Sequence, residues 1–403
     1  MEKKQLKTLG LAGVLLTSLL MPLHTSAETS GETHKATHHT TNQTTLEART
    51  LPDRVPRFVY DSGLDFEYPD AVRGVYVTGP SAGGARFERL VDLIQSTDLN
   101  SMVIDIKEDA GILTFQPEED SPYADVGTGY IDDPRKLLER LEEEQIYPIA
   151  RVVVFKDTKL AAKKPEWSFT KNGQVWKNGK GESFVNPFMK EVWDYNVEIA
   201  KQAAEMGFQE IQFDYVRFPE GFERRDEELS YSEGDYAGVE GDNVQKRVTA
   251  VTDFVEYANE QLSNYDVDVS VDIFGYSATI PEAPGIGQNF SKISSNVDVI
   301  SSMIYPSHWT SYFGIDKPDT KPYELVNEYA KVENERLAEL ENPPVSRPWI
   351  QDFTASWLYS GPSFTYGKNE VEAQIRALNE NGINEFLLWN SSNNYTEGVD
   401  YTP

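Results

Sequence analysis

The chain has 403 residues, 39% hydrophobic and 12% aromatic, enough apolar side chain for one large core or for two to three smaller ones. Sixty-six acidic against 37 basic residues give a formal net charge of −29, which disfavours nucleic acid and anionic membranes and makes a neutral partner the easier one. The absence of cysteine excludes disulfides, a thiol nucleophile, a thiolate metal site and a lipidated cysteine.

At the start, Lys3, Lys4 and Lys7 precede an apolar run over 9–20, and Thr25-Ser26-Ala27 offers a small-residue cleavage site. Residues 1–27 therefore read as a secretory signal. The run is short for a membrane span and lacks a basic stop-transfer flank, so cleavage is expected and no stable membrane insertion afterwards. The mature protein is expected to be secreted or held at the cell surface. Residues 28–57 are rich in Thr, His, Ser and Glu; they cannot bury a core and read as a disordered spacer. His34, His38 and His39 fall in this tail and are read as solvated rather than metal-binding.

From residue 58 to 403 the pattern is that of one domain. Strand-like runs are predicted at 72–78, 101–107, 147–155, 210–217, 268–274, 298–305, 347–353 and 384–390. Helical periodicity fills the intervals at 86–97, 134–145, 187–206, 244–262, 323–340 and 370–381, with a shortened helix at 289–295. Gly207 and Gly382 stand where helix-terminating glycines are expected. Eight strand–helix alternations are what a (β/α)8 TIM barrel requires. A doubly wound open sheet is the competing fold, but Ser81-Ala82-Gly83-Gly84-Ala85 after the first strand lacks the G-x-G-x-x-G spacing.

In a barrel, chemistry sits at the carboxyl ends of the strands, and here those ends are polar. Within each strand, alternation puts Val103, Asp105 and Lys107 on one face, Gln212 and Asp214 opposite Ile211 and Phe213, and Ser270 and Asp272 opposite Val269, Val271 and Ile273. Asp105, Asp214 and Asp272 are thus expected to share one interior. Lys107 and Arg151 could hold one acid ionised while a less polar setting keeps another protonated, as glycosidic cleavage needs. Arg217, Tyr305, His308, Trp309, Asp352, Trp389 and Asn390 lie at other strand ends. Aromatic faces suit sugar rings, as Trp167, Trp176 and Trp357 in loops also could.

Blander readings stand beside this one. Any one acid could serve only as an ion-pair partner in the barrel, any one Trp only as packing, and Asp109-Ala110-Gly111 only as a turn. Asp105, Glu108, Asp109 and His308 could instead form an oxygen-rich metal site, although no H-E-x-x-H spacing occurs. A Ser-His-Asp hydrolase finds no G-x-S-x-G, and His308 is the single histidine beyond the leader and tail.

The segments Val72-Arg73-Gly74-Val75-Tyr76-Val77-Thr78, Val103-Ile104-Asp105-Ile106-Lys107-Glu108-Asp109-Ala110-Gly111 and Phe213-Asp214-Tyr215-Val216-Arg217-Phe218-Pro219 resemble a bacterial family of glycosidase-type TIM barrels, the DUF4015 group. Pro165-Glu166-Trp167 with Asn172-Gly173 and Trp176 resembles a loop of related families. The resemblance spans about residues 72–395. It implies a carbohydrate substrate and a nucleophile on the fourth strand, which is Asp214 here. The acid/base partner is placed on strand five or six, where Asp272 is the match; Asp352 and Asp105 remain as alternatives.

The expected function is cleavage or transfer of glycosidic bonds in a cell-wall or extracellular polysaccharide. Asp214 and Asp272 are the expected catalytic pair, and Asp105, Lys107, Arg151, Arg217, Tyr305, His308, Trp309, Asp352, Trp389 and Asn390 the substrate-binding set. No cofactor and no metal are expected. A non-catalytic glycan-binding barrel and a metal-dependent ester hydrolase are the other readings. The sugar, the linkage, the stereochemical outcome and the oligomeric state are not readable from the sequence.

Overall fold

The computed structural model describes residues 59–239, 241–358 and 363–402; the leader and spacer expected over 1–57 lie outside them. Eight parallel strands make the barrel: β1 (Arg73–Val77), β2 (Ser101–Lys107), β3 (Tyr147–Val153), β4 (Glu210–Asp214), β5 (Asp268–Phe274), β6 (Val299–Met303), β7 (Trp349–Gln351) and β8 (Phe386–Trp389). Consecutive strands are neighbours from β1 to β6, β8 pairs with both β7 and β1, and Trp349 opposite Met303 closes the ring.

Helices cover the outside: α1 (Arg86–Gln95), α2 (Pro134–Glu143), α3 (Lys190–Met206), α4 (Asn243–Leu262), α5 (Phe290–Ser294), α6 (Pro322–Ala338) and α7 (Lys368–Glu380). Their apolar residues recur at helical spacing. In α1, Phe87, Leu90, Val91 and Ile94 are buried on one face against the sheet. Asp133 starts α2 by accepting from the Lys136 amide, with Pro134 in the first turn. Gly207 ends α3 at φ +116°, a conformation other residues resist.

The layers follow strand alternation. Ile104, Ile211, Phe213, Val271 and Ile273 join the large core between strands and helices. Tyr76, Val103, Ile149, Tyr305, Trp349 and Leu387 form a smaller cluster inside the barrel.

Three departures from the sequence pattern have physical causes. The seventh strand is split, because Val345–Ser346 pairs with the start of β6 and Pro348, which has no N–H, interrupts the ladder before Trp349. Helix α3 starts at Lys190 rather than 187, since the Asn186 side chain accepts from the Phe188 amide and holds Pro187–Met189 as a turn. The loop after β3 carries an unpredicted hairpin, Thr170–Lys171 with Gln174–Val175. Its turn is Asn172-Gly173, both at positive φ, as a tight two-residue hairpin demands.

Candidate active site

Strand β4 ends one residue past Phe213, at Asp214. It stops because Tyr215 takes φ +53°, a left-handed conformation that costs a non-glycine residue about 1–3 kcal/mol. The turn aims the Tyr215 amide back at Asp214, where it donates to Oδ1 at 2.6 Å. The interior-facing acids are withdrawn from solvent: Asp105 is 2% exposed, Asp214 5% and Asp272 2%. Buried carboxylates are costly unless paired or protonated.

Arg151 on β3 pairs two of them. Its Nε and Nη2 donate to Asp214 Oδ2 at 2.9 and 2.6 Å, and its Nη1 to Asp105 Oδ1 at 2.6 Å. Nη2 also reaches Asp109 Oδ1 at 3.0 Å. The planar fork spreads its donors over several acids and grips Asp214 with two nitrogens at once. Tyr76 donates its hydroxyl to the other Asp105 oxygen. Trp389 stacks on Tyr76 with ring centres 4.2 Å apart, and the guanidinium sits 5.7 Å from the Trp389 ring centre.

Asp272 on β5 has no such cation. Its Oδ1 accepts one bond, from Trp349 Nε1 at 2.7 Å. Burial, then the charge of Asp214, push its carboxyl well above the ordinary carboxylate range, with Arg151 and the indole N–H opposing. Adjacent strands thus hold one acid with three N–H donors and one that favours its proton. Asp109 shows the opposite balance to Asp272: burial would raise it, but Arg151 and Lys156 outweigh that and bring it to about 2.

These acids border a cavity of about 410 Å³ at the carboxyl ends of the strands. Asp214, Asp272, Arg151, Arg217, Tyr305, His308 and Trp389 line it, together with residues not in the expected set, notably Asp109, Lys180, Tyr215, Glu220 and Trp349. Burial lowers the His308 imidazole below its usual value, Lys180 adding to this and Glu220 opposing it. Trp357, 63% exposed, lies 6.2 Å from the His308 ring at the rim. Adjacency to Asp214 was the sequence signal for Tyr215; Lys180 had none, since an exposed lysine in a loop looks like any other.

Five expected binding residues do not line the cavity. Asp105 lies behind Arg151 and orients it. Lys107 points the other way: a bulge between Asp105 and Lys107 in the β2–β3 pairing breaks the alternation, so Lys107 follows Ile106 to the outer side. There it pairs with Asp157 at 2.8 Å and donates to Asn196 of α3. Gly111, at φ +85°, leaves room for Asp157, whose Oδ1 would lie 1.8 Å from a Cβ there. The Asp109–Gly111 segment is thus a turn that also serves this buried pair. Trp309 packs against Tyr312, Phe313 and Tyr329 of α6. Asp352 accepts from the Thr396 amide and hydroxyl. Asn390 donates to the Asp352 and Asn394 carbonyls, closing the loop after β8. Of the residues considered for a metal, Asp105 and Asp109 converge on Arg151, and among the described residues no three His, Asp or Glu side chains are placed to hold a metal ion.

A parallel eight-stranded barrel with unlike acids at the carboxyl ends of neighbouring strands has the architecture of a glycosidase-type TIM barrel. Residues 74–395 match the family model DUF4015, described as "putative glycosyl hydrolase domain", and the chain belongs to that family. A hypothetical protein from Ruminiclostridium thermocellum is 34% identical, covering 49% of this chain and 96% of its own, with a TM-score of 0.42. The glycoside hydrolase domain of PgaB (BpsB) from Bordetella bronchiseptica is 13% identical, covers 79% of this chain and 94% of its own, and has a TM-score of 0.56, a likeness of fold. A chitinase from Chromobacterium violaceum is 11% identical over 82% of this chain and 96% of its own, with a TM-score of 0.46. No curated protein matches the sequence.

Proposed function

We propose that this domain hydrolyses or transfers glycosidic bonds of an extracellular or cell-wall polysaccharide, with Asp272 as proton donor and Asp214 as nucleophile or base. The observation that carries this is the unequal pair: two buried acids on adjacent strands face one cavity, only one of them bound by a guanidinium. Such a division of protonation is what the reaction needs. Asp272 gives its proton to the glycosidic oxygen as the bond to the anomeric carbon breaks. Asp214 either adds to that carbon or takes a proton from the water that does. Arg151 holds Asp214 in place, with Asp105 and Tyr76 holding Arg151. Tyr305 and Trp389 supply aromatic surface for the ring. The basic start, apolar run and small-residue site at 1–27 support export; an N-terminus after Ala27 in the mature protein is the corresponding check.

The test is turnover of cell-wall and exopolysaccharide glycans by Asp272→Asn and Asp214→Asn variants. Asp272→Asn should lose roughly 10²–10⁴-fold, and less on an aryl glycoside whose leaving group needs no proton. Asp214→Asn should lose activity on both kinds of substrate. Full activity of either variant on the natural linkage would overturn the assignment.

A further inference from the structure

The loops after β3 and β4 enclose a second cavity of about 370 Å³ beside the first. Lys180, Tyr215, Arg217 and Glu220 line both, so the two form adjoining parts of one cleft. The charge of this arm is opposite to that of the chain. The whole chain has 66 acids to 37 bases, but the arm is lined by four cations, Lys156, Lys180, Arg217 and Arg225, and two acids, Glu182 and Glu220. Each acid is already taken. Lys156 holds Glu182 at 2.9 Å and Arg217 holds Glu220 at 3.3 Å. Lys180 and Arg225 form no ion pair among the described residues.

Both are held in place. Asn178 Oδ1 accepts from the Lys180 and Glu182 amides at 2.9 and 3.0 Å, and Asn178 Nδ2 donates to Glu182. Lys180 therefore projects from a fixed turn. Arg225 lies over the Trp176 ring, 5.3 Å from its centre, and its Nε is buried with no acceptor among the described residues. A buried donor without an acceptor is unfavourable, so the guanidinium keeps hydrogen-bonding capacity that no described protein group takes up.

We propose that this arm binds an anionic group on the sugar next to the one being cleaved, so that the substrate is an acidic polysaccharide carrying carboxylate or phosphodiester substituents. Lys180 and Arg225 pair with the anion, and Trp176 offers a face to the ring. The overall negative charge points instead to a neutral partner; local geometry outweighs it because charges more than about 8–10 Å away are screened at physiological salt. The inference rests on the glycan-cleaving reading for the kind of ligand, but binding tests it separately from turnover.

The full chain is titrated by calorimetry with an oligogalacturonate, a phosphodiester-bearing oligosaccharide and a neutral chito-oligosaccharide, at low and high salt. At least one acidic glycan should bind ten-fold or more tightly than the neutral one at low salt, and high salt should erase the difference. Which acidic glycan prevails distinguishes carboxylate from phosphate. Lys180→Met with Arg225→Met should lose that preference, bringing the affinity for the acidic glycan down to that for the neutral one. Lys180→Met alone, on an exposed turn, should lose several-fold and guards against a folding defect in the double variant. Equal binding of neutral and acidic glycans, no binding of either acidic glycan, or a preference that survives the double substitution would overturn the proposal. Acidic glycans bound through these two residues yet never cleaved would support it and sink the hydrolase reading. Cleavage of neutral glycans alone would do the reverse.

Discussion

A buried arginine surrounded by acids stands at each end of the barrel, and the two ends use it differently. At the amino ends of the strands, Arg347 gives Nη1 to Glu210 at 2.6 Å, Nε to Glu385 at 2.7 Å and Nη2 to the Tyr68 hydroxyl at 2.9 Å. All three nitrogens are used, and the side chain has no exposed surface. At the carboxyl ends, Arg151 is just as fully bonded, but it borders the cavity and leaves Asp272 without a cation. The same device ties the closed end together and, at the open end, makes two acids unequal. This matches the division of labour in TIM barrels, with stability at one face and chemistry at the other.

The largest expected effect tests the closed end. Arg347→Met strands Glu210 in the core and should cost about 3–5 kcal/mol in denaturant unfolding, while turnover per folded molecule stays at the wild-type level. Unchanged stability would break the comparison. At the open end, Arg151→Lys keeps the charge but not the fork, so the two-nitrogen grip on Asp214 is lost. Turnover should fall roughly 10²-fold through misplacement of Asp214, with a smaller loss of stability than Arg347→Met produces.

A subtler test uses pH. Asp272 is raised in the folded state, so above its unfolded value the folded chain binds more protons than the unfolded one. Stability therefore falls as pH rises from the ordinary aspartate value through the raised one. Asp272→Asn removes this loss, and its melting temperature should gain on the wild type progressively with pH. A constant offset would mean that Asp272 is not raised. The smallest effect is that of Asp109→Asn. The carboxyl is depressed to about 2, so its contribution is present above the ordinary aspartate value and is lost as pH falls towards about 2. The variant should melt slightly lower at neutral pH, with the gap closing in acid.

Much of the fold was legible because strand and helix periods are local. All eight strands were readable, and alternation alone sent Ile211 and Phe213 outward and Gln212 and Asp214 inward. The ends of elements were less legible. The stop of β4 at Asp214 comes from the left-handed Tyr215, and no residue-type rule flags a tyrosine for that conformation. Asn172-Gly173 did carry a hairpin signal, but its flanking strands are two residues each, too short to show a period. Lys107 was misplaced for a definite reason. A bulge shifts every later residue to the opposite face, and no pattern in Ile106-Lys107-Glu108 marks one. Trp309, Asp352 and Asn390 stand at strand ends like true cavity residues, but their partners, Tyr329, Thr396 and Asn394, come from elements whose approach the sequence does not reveal.

The sequence by itself determined the barrel, the number of its strands and the inward direction of Asp105, Asp214 and Asp272, since each rests on spacing within a single segment. Only the tertiary structure decided what those acids are. Arg151 lies on a different strand from Asp214 and could have paired with any of the three. Its position gives a guanidinium to Asp105 and Asp214 and leaves the buried Asp272 with one indole N–H. Desolvation and ion pairing depend on distances between elements remote in the chain, and folding sets those distances.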